Sequence, residues 1–261
     1  MTLFFHEIKR NKLSLIIWSA AISFMLAVCV FIYPEMQTQM GDISAMFADM
    51  GAFSDAFGMD QLNFGEFMGY FGIECGNTLG IGGALFAAII GVSALAKEEK
   101  DRTAEFLLAH PISRVRILTQ KLLALLAQIA MLNISVAAVT SLSVLAVGVE
   151  ADVGKMALLF LSNFALQVEI AALTFGISAF VRRGGLGIGL GMTLGFYFLN
   201  IVSNLTEELE FLKFITPYGY TDGSHIISEG TIEIKFLLVG VALACAAVAM
   251  AYARYTKKDI T

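Results

Sequence analysis

Two glutamates and an arginine, Glu98, Glu99 and Arg102, form the most chemically suggestive group in the 261-residue chain. Adjacent carboxylates beside a guanidinium could help to ligate a metal ion and activate a water for hydrolysis. Such a site needs several ligands converging on one ion. The three histidines, His6, His110 and His225, are scattered and all lie outside the long apolar runs. The cysteines Cys29, Cys75 and Cys245 fall in or beside those runs with no Cys-x-x-Cys spacing, so they read as buried thiols and not as a zinc or disulfide framework. Only two residues separate Glu99 from Arg102, one fewer than in the paired-glutamate motif of intramembrane proteases. No metal site assembles, and the hydrolytic reading is set aside.

The elements that would carry these residues follow from composition. The chain is 57% hydrophobic and 15% charged, with a mean hydropathy of +0.77. A soluble domain carries about 25% charged residues, so this is an integral membrane protein, all-α, and a single domain over 1–261. A bilayer crossing takes about 20 apolar residues. Six runs qualify, near 13–33, 75–96, 119–148, 156–181, 186–206 and 235–256. The first is too long, and "FIYPEM" too poor in small residues, for a cleaved signal peptide.

Lys and Arg orient the spans. Fourteen of the 17 basic residues fall at the N-terminus, in the segment after span two, in the turn after span four and at the C-terminus. The opposite side has Lys155, Lys213 and Lys235, and its segment 34–74 has seven acids and no base. Both termini are therefore expected in the cytoplasm of a cell-membrane protein. Residues 1–12 pair an apolar set (Leu3, Phe4, Ile8) with a polar one (Glu7, Lys9, Arg10, Lys12) and read as an interfacial helix. Segments 34–74 and 207–234 read as external. The first suggests short amphipathic helices; the second, broken by Pro217 and several glycines, suggests short pieces dipping back into the membrane. Glycines between 184 and 195 read as a close-packing face of span five.

Between spans two and three lies "KEEKDRTAEFLLAHPISR", in which eight of eighteen residues are charged. Thr103 can cap a helix with Glu105 in its first turn, Pro111 ends that helix, and Ser113 can cap the next. The result is a compact helical elbow held by two spans.

That segment resembles the first cytoplasmic loop of ABC-2 type transporter permeases. The matching residues are Glu98 or Glu99, Thr103, Glu105, Leu107, Leu108, Pro111, Ser113, Arg114 and Lys121; Arg102 stands where the family has Gly. The resemblance implies a permease subunit of an ATP-driven exporter. Its loop 97–116 would be a coupling element, with Glu98, Glu99, Arg102, Thr103, Glu105, Phe106, Leu107, Pro111 and Arg114 meeting a cytoplasmic ATPase subunit. The chain has no Walker A sequence and reads as no enzyme. It would bind no cofactor itself, ATP and Mg belonging to the ATPase. Partners would be that ATPase, a second permease copy or a related permease, and membrane lipid, but no nucleic acid. A secondary transporter or channel, and a non-transporting scaffold or sensor subunit, are the alternatives.

Polar residues inside the spans complete the candidate set. Glu169 lies mid-span, where a carboxylate faces protein interior or a cavity; it could line a path, carry a proton or bond a neighbouring helix. Gln128, Asn133, Asn163, Gln167, Asn200 and Asn204 read as interhelical hydrogen-bonding groups. Glu74 and Asn77 lie near the outer end of span two. Glu169, Glu74, Asn77 and Asn133 are the candidate substrate pathway.

Overall fold

The computed structural model describes residues 2–37, 66–100, 112–181 and 185–257. Among them the regular elements are helices, as a bilayer requires of a chain that must satisfy its own backbone hydrogen bonds. In chain order they are α1 (Thr2–Gln37), α2 (Phe67–Cys75), a π-helical segment (Gly76–Ile81), α3 (Gly82–Lys100), α4 (Arg114–Val147), α5 (Val153–Ser178) and α6 (Gly185–Ser203). Two 3-10 pieces follow (Glu207–Phe214 and Pro217–Tyr220), then α7 (Gly223–Glu229) and α8 (Ile234–Lys257). Six helices are long and apolar enough to span a membrane.

Local chemistry sets several boundaries. Ser113 Oγ accepts from Arg116 N at 3.3 Å, the expected cap of α4. Gly148 ends that helix at φ +77°, a left-handed conformation that glycine adopts without a Cβ penalty. Asp152 Oδ1 then accepts from Gly154 N and Lys155 N at 2.8 and 3.1 Å and starts α5.

Two boundaries differ from the sequence expectation. The helix expected at 1–12 is not a separate element, because nothing between Thr2 and Tyr33 breaks the backbone and α1 runs unbroken for 36 residues. At 1.5 Å per residue that is roughly 54 Å, well beyond a hydrocarbon core of about 30 Å, so its first turns project past the membrane. Span two begins earlier than residue 75, and Phe67–Glu74 is not external. The chain passes Cys75, Gly76 and Gly82 in right-handed helical geometry, which joins α2, the π segment and α3 into one rod. Eight of the nine α2 residues are buried, from Phe67 to Cys75. Tyr33, Phe67, Tyr70 and Phe71 pack ring to ring there, with centroids 5.2–5.6 Å apart in edge-on, tilted and stacked pairs. The amphipathic helices expected further upstream fall largely on residues outside those described.

α5 is the central post, packed against α3, α4, α6, α8 and the Pro217–Tyr220 piece, while α1 lies along α4. Span two is the most enclosed, 72% of its most apolar stretch being buried against 17% for span five. Phe24, Ile134, Leu145 and Leu238 are each more than half exposed, which suits surfaces that face lipid.

Candidate functional site

The clearest polar construction lies where α1 begins, α3 ends and α4 begins. Lys121 is 2% exposed and Glu7 5%. The Lys121 ammonium donates to Glu7 Oε1 at 2.8 Å and to the carbonyl of Ala94 at 2.7 Å. Arg10 Nη2 donates to the other Glu7 oxygen at 2.8 Å. Two charges can be buried in this way only because each has a partner and further hydrogen bonds. Phe4 N also donates to Gln120 Oε1 at 3.3 Å, fixing α1 to α4 a second time.

The same end holds the last helix. Arg114 Nη1 donates to the carbonyls of Tyr255 and Thr256 at 3.2 and 3.3 Å, and Thr119 Oγ1 lies 2.8 Å from Tyr252 Oη. A cation on the terminal carbonyls of a helix opposes its dipole favourably. The two flanks of segment 97–116 are thus tied to each other and to both terminal helices. These contacts also place the start of α1 and the end of α8 on one face, here called the basic face.

Within the membrane the polar residues form pairs between helices. Asn133 Nδ2 of α4 donates to Gln167 Oε1 of α5 at 2.7 Å, and Gln167 Nε2 donates to the Leu79 carbonyl of the π segment at 3.4 Å. A methyl group on Gly83 would overlap the Gln167 amide, so glycine there leaves the room that this side chain occupies between α3 and α5. Tyr197 Oη of α6 donates to Asn77 Oδ1 at 3.0 Å. Tyr220 Oη donates to Glu169 Oε2 at 2.8 Å, with Gly240 leaving room for the carboxyl. Burial, and the Glu169 carboxyl beside it, hold the Tyr220 hydroxyl well above the usual tyrosine range. Thr216 supports this insertion by capping Pro217–Tyr220 and donating to the Phe196 carbonyl at 2.8 Å.

A polytopic helical bundle of this kind is compatible with many transporters, and a sequence-family match decides among them. The family profile described as ABC-2 family transporter protein matches residues 1–260. The chain belongs to the ABC-2 transporter family. It is the permease, the transmembrane component of an ABC transporter and not its catalytic one. No curated protein matches it closely enough to serve as a relative.

Of the loop residues of this ABC-2 permease, Arg102, Thr103, Glu105, Phe106, Leu107 and Pro111 lie outside those described. Glu98 and Glu99 lie in the last turn of α3. Arg114 opens α4 with its guanidinium on the C-terminal carbonyls of α8. The four pathway candidates do not meet in one place. Asn133 lines an apolar cleft of about 820 Å³ between α4 and α5, whereas Asn77 lines a separate polar pocket of about 70 Å³. Glu169 pairs with Tyr220, and Glu74 Oε2 accepts from Cys29 Sγ at 3.5 Å. Of the span-five glycines, Gly185 and Gly189 pack on Val92 of α3, while Gly187, Gly191 and Gly195 have open space before them. Glu7 was the residue missed: in "MTLFFHEIKRNK" it reads as one surface charge among several.

Proposed function

We propose that this permease is the membrane subunit of an ATP-driven exporter and that segment 97–116 is its coupling element. In this reading the basic face is cytoplasmic, and the chain sits in the cell membrane beside a second permease copy or a related permease. A separate ATPase subunit carries ATP and Mg, and the chain itself binds no cofactor. Glu98, Glu99, Arg102 and Glu105 pair with charges on the ATPase, Phe106 and Leu107 supply the apolar anchor, and Thr103 and Pro111 delimit the helix between them. Arg114 ties the far end of the segment to the last helix.

The observation that carries this reading is the shared tether at Lys121. Its ammonium binds both Ala94 O, just before the segment, and Glu7 in α1. A push on the segment would then move α3, α4 and the start of α1 together, because the alternative parts a buried ammonium from the Glu7 carboxylate and leaves that carboxylate with Arg10 alone. The polar pairs Asn133–Gln167 and Gln167–Leu79 O extend that connection from α4 through α5 to the π segment. Asn133, Asn77, Glu74 and Glu169 are in this account polar stations beside the exported molecule's route.

Co-expression with the cognate ATPase tests it. A complex that co-purifies and hydrolyses ATP faster when reconstituted with the permease supports the reading. An ATPase whose activity and affinity are indifferent to the permease overturns it.

A further inference from the structure

The small polar pocket of about 70 Å³ lies on the face opposite the termini, between the π segment, the last turns of α6 and the Pro217–Ser224 stretch. Its walls carry several hydrogen-bonding groups where two spans meet. Asn77, Tyr197, Asn200, Asn204 and Tyr218 all face it, and Gly72, Gly76 and Gly223 form bare patches of its lining.

Its most informative member is Tyr218. The residue is 3% exposed, yet its hydroxyl has no hydrogen-bond partner among the described residues. A buried hydroxyl left unpaired is costly and calls for an explanation. The ring packs edge-on against Tyr197 with centroids 5.5 Å apart, and Tyr197 is itself fixed by its bond to Asn77. That bond uses the Asn77 carbonyl and keeps the amide N–H groups as donors.

The charges present cancel. Asp222 caps Ser224, with Oδ1 accepting from Ser224 N and Oγ at 3.0 and 2.6 Å, and its other oxygen lies 3.7 Å from the Lys213 ammonium. What remains is a mixed set of neutral donors and acceptors, which suits a group that both donates and accepts. A water needs roughly 10–15 Å³ of free space, so the pocket of about 70 Å³ has room for a few waters or for a small polar head, and not for a whole drug-like molecule.

We propose that this pocket is a subsite for a neutral hydroxyl group, with Tyr218 Oη and the Asn77 amide as its recognising atoms. Beside the last turns of span five, the fitting source is the uncharged, hydroxyl-bearing head of an amphipathic molecule. The proposal rests on the transport reading for its biological meaning, but binding can be measured on the permease without any ATPase.

The test uses the full chain in phosphatidylcholine nanodiscs, titrated with monoolein, whose head carries two free hydroxyls. Methyl oleate supplies the same tail with none, and dilute glycerol supplies the hydroxyls with no tail. Saturable thermal stabilisation by monoolein and none by methyl oleate is expected. Tyr218→Phe should weaken the monoolein response about tenfold, one well-placed hydrogen bond's worth, while leaving the unliganded protein as stable or more so. Gly76→Ala should weaken it too. An added Cβ there meets nothing within 4 Å, so it takes up pocket space without disturbing the packing. A response to glycerol matching that to monoolein would keep the hydroxyl site and assign its ligand to soluble polyols. Equal responses to monoolein and methyl oleate, or an undiminished response in Tyr218→Phe, would overturn the proposal. So would a marked loss of unliganded stability in Tyr218→Phe, since that would reveal a structural partner for the hydroxyl.

Discussion

The Lys121 ammonium lies 2.8 Å from the Glu7 carboxylate across 114 residues of sequence, with side-chain exposures of 1% and 6%. Removing Lys121 costs the buried Glu7 carboxylate one of its two cationic partners and leaves it with Arg10 alone. Lys121→Ala should therefore destabilise the permease by about 1–3 kcal/mol. The double variant Glu7→Gln/Lys121→Met should recover much of that loss. Thermal unfolding of the two single variants and the double in nanodiscs gives the coupling directly; strictly additive effects would mean that the two side chains do not interact.

Glu169 and Gly240 form a second coupled pair, this time steric. A methyl at 240 would overlap the Glu169 carboxyl, so Gly240→Ala should cost about 1–3 kcal/mol by overpacking. Shortening the acid in Gly240→Ala/Glu169→Ala should restore part of it. A Gly240→Ala protein as stable as the parent would show that the Glu169 carboxyl swings aside without loss.

Tyr220→Phe removes the donor to Glu169 Oε2 and should cost about 1–3 kcal/mol. The pH dependence has a definite sign. The Tyr220 hydroxyl titrates above its ordinary value of 10.0 when folded, so below about pH 10 it is protonated in both states and contributes evenly. Above that the unfolded chain loses its proton first, and stability falls with rising pH. Equilibrium unfolding at several pH values should show that alkaline loss diminished in Tyr220→Phe.

Arg114→Ala should loosen the end of α8, whose carbonyls at 255 and 256 accept from the guanidinium. Because that contact is partly exposed, the global cost should be modest, about 1 kcal/mol. The local effect should be plainer: backbone amides near the C-terminal end of α8 should exchange hydrogen faster, while those of α5 do not change.

The sequence shows most of the frame because a bilayer leaves few choices. Six apolar runs become six spans, and Ser113 caps α4 as its position suggests. The early start of span two was hidden by Glu66, Glu74 and the glycines at 69, 72 and 76, which read as loop until Phe67, Tyr70 and Phe71 pack together around Tyr33. Glu169 announces itself as a costly mid-span acid. Its partner does not, because Tyr220 lies 51 residues away in a stretch with no helical period. Glu7 was illegible for the same reason: pairing across the bundle leaves no local trace. The π segment "GNTLGI" has no sequence signal that separates it from an ordinary helical turn.

Export and ATP hydrolysis by Glu99→Lys/Glu105→Lys, measured side by side in the reconstituted transporter, test the coupling claim most directly. The double variant should insert normally and reach parental amounts in the membrane, yet lose its hold on the ATPase, so that hydrolysis no longer drives export. Unchanged complex formation together with unchanged transport would contradict the account.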